Sequence, residues 1–241
     1  MERDDLDQFY RLLNTLEEGI GYRYLKDCHD GMNWPQRGVY FFFEDGEFRS
    51  DGSTPRVVRV GTHAVSKGSR GTLWERLQAY MGTRSGAGGH RGSVFRLRIG
   101  QALINPDNLD AARLAPIPPS WGKGSSAPKH VCQKEAHVER AVSEYLGSMP
   151  FLFIEADDEP GKDSIRRWIE RNAIGLLTCD YARGVDNPSR KWLGNWLTHE
   201  TVRAYGLWNV RDVRDVGAPY DPSFLSVLSD HVKETTRGYK Q

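Results

Sequence analysis

The chain has 241 residues, with 33 Lys and Arg against 32 Asp and Glu for a formal net charge of +1. At 38% hydrophobic and 11% aromatic residues it can bury a sizeable core, which excludes a disordered chain, and its near-neutral balance excludes a protein that grips polyanions by net charge, so any nucleic-acid face must be local. Three cysteines without framework spacing, a charged start (Met1-Glu2-Arg3-Asp4-Asp5) and the lack of a long apolar run exclude a disulfide scaffold and a transmembrane helix, and predict a cytoplasmic protein.

In chain order, Asp4 to Ile20 sets Leu6, Phe9, Leu12, Leu13 and Leu16 on one stripe, which predicts an amphipathic helix packed across a sheet. Tyr22 to Gln36 is irregular. Within it Cys28, His29 and Asp30 are metal-ligand types, but adjacent ligands without a second pair make a poor zinc site. Val39 to Phe43 is an apolar, aromatic run closed by the turn signal Glu44-Asp45-Gly46, and Arg56 to Gly61 alternates basic and apolar residues; with the loop Asp51 to Pro55 between them, the two predict a strand hairpin.

Thr72 can cap a helix over Leu73 to Met81, with Glu75 completing a capping box. Leu73, Trp74, Leu77 and Met81 fall on its packing face, while Arg76 and Tyr80, four apart, share another and set a guanidinium beside a phenol. Gly82 to Gly92 is a Gly-rich polar loop holding Arg84, His90 and Arg91, and Ser93 to Arg98 alternates like a third strand, which would put His90 and Arg91 where a loop enters a sheet. The Pro-, Gly- and Ser-rich stretch from Ile104 to Lys129 predicts a long loop, whose Lys123 and Lys129 could touch a phosphate backbone. His130, Cys132 and His137 read as a helix with exposed histidines and a buried cysteine rather than a metal site, because these ligands splay around the helix. Met149 to Ile154 predicts a short buried strand.

The C-terminal third reads as mostly helical. Asp163 or Ser164 opens a helix through Ile165, Trp168, Ile169, Ile174 and Leu177, with Arg166, Arg167 and Arg171 on a polar side that is either solvated or meets nucleic acid. Asn187 to Gly194 predicts a turn into a short helix, Trp192, Trp196 and Trp208 read as packing residues, and Tyr220-Asp221-Pro222 introduces a last amphipathic helix with Phe224, Leu225 and Leu228 before a frayed tail from Glu234 to Gln241.

The order Gly38-Val39-Tyr40, then Arg59-Val60-Gly61, then an Arg in the next helix, then His90, resembles the GIY-YIG nuclease superfamily over roughly Gly38 to Phe151. The resemblance implies an α+β fold: a small three-stranded mixed or antiparallel sheet flanked by helices in a core over 38–156, with the long loop 104–129, preceded by an N-terminal helix and lead-in over 1–37 and followed by a mostly helical extension over 157–241. It implies a metal-dependent endonuclease acting on DNA phosphodiesters, in restriction, repair or defence. Residue by residue, Tyr40 would activate or position the attacking water, Arg76 would offset charge on the phosphate, and Tyr80 and His90 would stand near the family's further His or Tyr positions. Glu139 would bind the single divalent metal, Mg²⁺ or Mn²⁺, with Glu135 and Glu144 as rivals. Arg59, Arg84, Arg91 and Lys123 would contact nucleic acid, expected as duplex DNA. Cutting both strands would need two sites, hence a homodimer or successive nicks.

The same inventory makes chemical sense unaided, because phosphodiester hydrolysis needs a water nucleophile, a cation for the phosphoryl oxygens and help for the leaving group. Each residue also has a plain structural reading: Tyr40 as core, Arg76 in a surface ion pair, His90 as an ordinary loop residue, Glu139 as a solvated helical glutamate. The chain departs from the family in two ways: Arg59 stands where the second triplet usually begins with Tyr, and the insertion Glu44 to Pro55 lengthens the interval. A nuclease-derived module that binds without cutting is therefore the second reading, and a small-molecule or protein-interaction domain of mixed α/β type the third.

Overall fold

A computed structural model describes residues 2–83, 88–182, 185–210 and 220–239. In chain order it contains helix α1 (Glu2–Ile20), the short strand β1 (Arg23–Tyr24), strands β2 (Gly38–Phe48) and β3 (Pro55–Gly61), helices α2 (Leu73–Met81), α3 (Val94–Leu103) and α4 (Lys129–Ser148), strand β4 (Pro150–Glu155), and helices α5 (Ile165–Ala182), α6 (Glu200–Tyr205) and α7 (Phe224–Gly238). The four strands form one antiparallel sheet in the order β1-β4-β2-β3. The fold is thus α+β, with four strands rather than three.

Strand β2 is central because its run from Val39 to Phe43 is buried on both faces. Successive side chains alternate: Phe41 meets Phe9 of α1, while Phe42 meets Tyr80 of α2 and Phe95 of α3. Each fully buried phenylalanine contributes ~1.5–3 kcal/mol relative to an exposed one. Helices α1, α5 and α7 contact the sheet on the Phe41 side and one another, and α2, α3 and α4 gather on the other.

Two glycines of the motif triplets are explained by close approach. A Cβ at Gly38 would lie 2.3 Å from the Ile154 carbonyl oxygen across the β2–β4 ladder. Gly61 pairs directly with Tyr40, and a Cβ there would lie 2.4 Å from the Tyr40 hydroxyl, so the phenol rests on bare backbone. Between them β3 is irregular: Phe42 pairs with Arg59 and Phe43 with Val57, so Val58 bulges, and its carbonyl accepts the Trp208 N–H at 2.8 Å.

The expected strand over Ser93–Arg98 is instead the start of α3. Ser93 is its cap, accepting the Arg96 N–H, and the side chain that polar alternation would send to solvent, Arg96, is fully buried. The run from Met149 to Ile154 supplies the sheet strand in its place. Arg166 departs from its expected polar face: it is buried, pairs with Asp158 and donates to the His63 carbonyl at 2.6 Å. The expected capping box at Thr72 and Glu75 is present, α1 covers the predicted span, and α7 runs on through the predicted tail to Gly238. The indoles of Trp192 and Trp208 are buried and both donate to Glu44, which ties the C-terminal segment to β2. Asn209 clamps the outer edge of β3, accepting the Val60 N–H and donating to the Val60 carbonyl. No helix among the described residues is long and apolar enough to cross a membrane.

Candidate active site

A cleft of about 610 Å³ opens over the end of the β2–β3 hairpin. The strands supply Tyr40, Arg59 and Thr62; α2 supplies Arg76; Gly92 and α3 supply one wall with Val94 and Arg98; α5 supplies the opposite wall with Arg167 and Glu170; Asn209 and Val210 complete the rim. Val94 and Arg98 are one helical turn apart on one face, as are Arg167 and Glu170, so each wall presents a pair of side chains by simple periodicity. The Nε–H groups of Arg59, Arg76 and Arg98 are each buried and lack a partner among the described residues. Three arginines around one cleft therefore carry unspent donor capacity, which matches an anionic ligand with several oxygens.

Beneath the cleft lies a pair of phenols. The Tyr40 and Tyr80 hydroxyls are 2.7 Å apart, both rings fully buried. Arg59 donates from Nη2 to the Tyr80 hydroxyl at 3.4 Å and from Nη1 to the Trp208 carbonyl at 3.0 Å, with its guanidinium 4.4 Å over the Phe95 ring. The Arg76 guanidinium lies 4.8 Å over the Tyr80 ring, as the spacing of four along α2 predicts. Burial pushes Tyr40 up, and its neighbour Tyr80 adds to the shift. Burial also opposes ionisation of Tyr80, but the Arg59 and Arg76 charges and the bond from Tyr40 outweigh it and bring that phenol below its ordinary range. Both guanidiniums are in turn held more firmly charged, the phenols outweighing their burial.

Of the residues singled out in the sequence, Tyr40, Arg59, Arg76 and Tyr80 converge here. His90 and Glu139 do not line the cleft. The Glu139 carboxylate accepts the His90 backbone N–H and meets His90 Nδ1, both at 2.8 Å, and pairs through its other oxygen with Arg96 Nη2 at 2.6 Å. Burial would raise the Glu139 carboxyl, but the His90 bonds and Arg96 outweigh it and hold it low. The His90 ring stacks on Trp121 at 4.0 Å and its Nε2 accepts the Gly122 N–H, so this histidine pins the long loop to α4. Arg91 makes two bonds to Glu135 and further contacts with the Ser120 and Lys123 carbonyls, so its fork is already engaged. Lys123 is exposed in that loop, Glu144 is exposed on α4, and neither borders the cleft. Arg84 lies outside the described residues.

Among the described residues the carboxylate that lines the cleft with Tyr40 is Glu170, which accepts the Thr62 N–H at 3.2 Å. Reading the sequence missed it, along with Arg98 and Asn209, and set Arg167 only on a basic helix face without joining it to Tyr40, because these residues are far apart in the chain and local pattern does not report convergence. Asn172, two residues after Glu170, is close to the cleft in sequence only. Asn172 itself bonds the Asp221 N–H and the Trp168 carbonyl, and so anchors α5 rather than lining the cleft.

The sequence profile of the GIY-YIG domain matches residues 1–238, so the chain belongs to the GIY-YIG family, a superfamily of nucleases. The matched span takes in α5, which carries Glu170, as well as the two triplets. No curated protein and no solved structure matches the chain.

Proposed function

We propose that this protein is a metal-dependent endonuclease that hydrolyses DNA phosphodiester bonds in the cleft between α3 and α5. The observation that carries the reading is the meeting of Arg76, Arg59 and Tyr40, backed by Tyr80, with Glu170 across one cavity. Arg76 binds the non-bridging oxygens of the scissile phosphate and offsets the charge that grows on them. The Tyr40–Tyr80 pair receives the proton of the attacking water. Arg98 and Arg167 hold the flanking backbone, which fixes the phosphate in line for attack.

The donor set fits a hard divalent cation that keeps most of its own waters. Among the described residues no three His, Cys, Asp or Glu side chains form a cage, whereas Mg²⁺ is commonly held by one or two carboxylates and a substrate phosphate. Glu170, rather than the expected Glu139, would hold it. When bound, the cation supplies Lewis-acid stabilisation of the phosphoryl oxygens and assistance to the leaving oxygen.

The test is conversion of supercoiled plasmid to nicked circle with Mg²⁺ and with Mn²⁺ in parallel. Nicking that needs the metal and falls on the order of 10²–10³-fold in Arg76→Ala is the expected result. Intact plasmid at high protein with either metal contradicts it. Arg59 at the usual Tyr position favours the second reading, a module that binds nucleic acid without cutting, and retention of DNA in a gel shift without cleavage would select that reading.

A further inference from the structure

Arg59 occupies the position where the family's second triplet usually carries a phenol, and its geometry shows what it does there. A guanidinium can only donate, so at the Tyr80 oxygen Arg59 is a donor and Tyr80 an acceptor. That oxygen also sits 2.7 Å from the Tyr40 hydroxyl, where either neutral phenol could donate; once Tyr80 is ionised, Tyr40 is the donor of the pair. Tyr40 is the phenol at the cleft floor; Tyr80 lies behind it, away from the cleft. We infer that Arg59 is a positioning residue that, with Arg76, holds the Tyr80 oxygen as the site's resting proton acceptor, behind a Tyr40 that relays the proton of the attacking water. The inference rests on the nuclease reading for its reaction and on the folded chain alone for its proton inventory.

The step balances. As the water oxygen bonds to phosphorus and the P–O bond to the leaving oxygen breaks, the water proton passes to the Tyr40 oxygen and the Tyr40 proton passes to the Tyr80 phenolate. The leaving oxygen takes a proton from solvent, and Tyr80 returns its proton to solvent through Tyr40. The groups that face the Tyr80 phenol are Tyr40 from β2, Arg59 from β3 and Arg76 from its own helix. Phe42 of β2 and Phe95 of α3 wall its ring, and Arg96 of α3, paired with Glu139 of α4, donates to the Tyr80 backbone carbonyl. Two cations against one neutral phenol favour the ionised form, which Tyr80's lowered proton affinity supports.

The acceptor is present above the Tyr80 titration and absent below it, so cleavage rises with pH through that midpoint, and removing the Arg59 charge moves the rise to higher pH.

Proton binding is read without cleavage by tyrosine ring ¹³C NMR across a pH series on the whole protein, with Tyr80→Phe assigning the resonance. Expected is a Tyr80 midpoint below that of a free phenol, raised in Arg59→Gln because the guanidinium that favours the phenolate is gone. The acid-side limb of the nicking rate should move by the same amount. Arg59→Lys, which keeps the charge, should retain most of the depression, and gives a second reading should Arg59→Gln not fold. A Tyr80 that stays neutral to the ordinary phenol range in the wild type, or a midpoint unmoved in Arg59→Gln, overturns the inference. Failure to nick by a protein whose Tyr80 titrates low overturns the nuclease reading and leaves the role of Arg59 standing.

Discussion

Gly61 shows how much chemistry one missing side chain can decide. The Tyr40 phenol lies where a Cβ at Gly61 would be, at 2.4–2.6 Å from its outer ring atoms and hydroxyl. In Gly61→Ala the ring must leave its place beside Tyr80, and a displacement of about 1 Å at such a site costs on the order of 10²-fold in rate. Kinetics of plasmid nicking, with a thermal melt to show that the fold survives, checks this; a Gly61→Ala protein as fast as wild type would mean that Tyr40 is not placed as described. The triplet residues were legible in the sequence as motif letters, since a glycine beside a strand tyrosine is a local pattern. Their reason was not, because the contact is made across the ladder by residues 21 positions apart.

At the scale of elements, α3 is where local pattern misleads. Val-Phe-Arg-Leu-Arg alternates as a strand would, but α4 offers the buried Arg96 a full set of acceptors: the Glu139 carboxylate, the Glu139 carbonyl and the Ser143 hydroxyl. Tertiary contacts thus override the period of two. The same network makes Glu139 a structural residue. Removing it strands Arg96 as an unpaired buried charge, so Glu139→Ala should lose ~3–5 kcal/mol of stability, read as a lowered midpoint in urea unfolding. The folded-state titration of Glu139 lies below its unfolded value of about 4.3, so its contribution is present above that pH and lost as pH falls through the folded value. The stability gap between wild type and Glu139→Gln should accordingly be widest near neutral pH and narrow as pH falls below the unfolded value and through the lower folded one. A variant as stable as wild type at pH 7 would contradict this role.

Across the whole molecule, a net charge of +1 hides a cleft whose described lining holds four arginines and one glutamate. Composition gave no hint of that asymmetry, because the opposing acidic residues are spent elsewhere: Glu139 on Arg96, Glu135 on Arg91, Asp158 on Arg166. Residues beyond 157, read from the sequence as packing helices, contribute Arg167, Glu170, Asn209 and Val210 to the cleft. Their helical character was legible from periodicity; their place beside Tyr40 depends on the docking of α5 against β2 and β3. Arg98 is half-buried on the cleft wall, which lowers its proton affinity, and among the described residues its side chain bonds the Gln101 side-chain oxygen, so it is a candidate for a phosphate of the proposed substrate. Duplex affinity of Arg98→Ala, measured over a salt series, should be weaker and show a logarithmic salt slope smaller by about one; an unchanged slope would remove Arg98 from the DNA path.

Whether the proposed metal-binding carboxylate is Glu170 of α5 or Glu139 of α4 is decided by one comparison. Metal-dependent plasmid nicking would be measured for wild type, Glu170→Gln and Glu139→Gln, each with its melting curve. The account predicts that Glu170→Gln keeps the wild-type melt and loses nicking, while Glu139→Gln melts earlier and, where folded, still nicks. A Glu170→Gln protein that cuts like wild type, or a well-folded Glu139→Gln protein that does not cut, would contradict it.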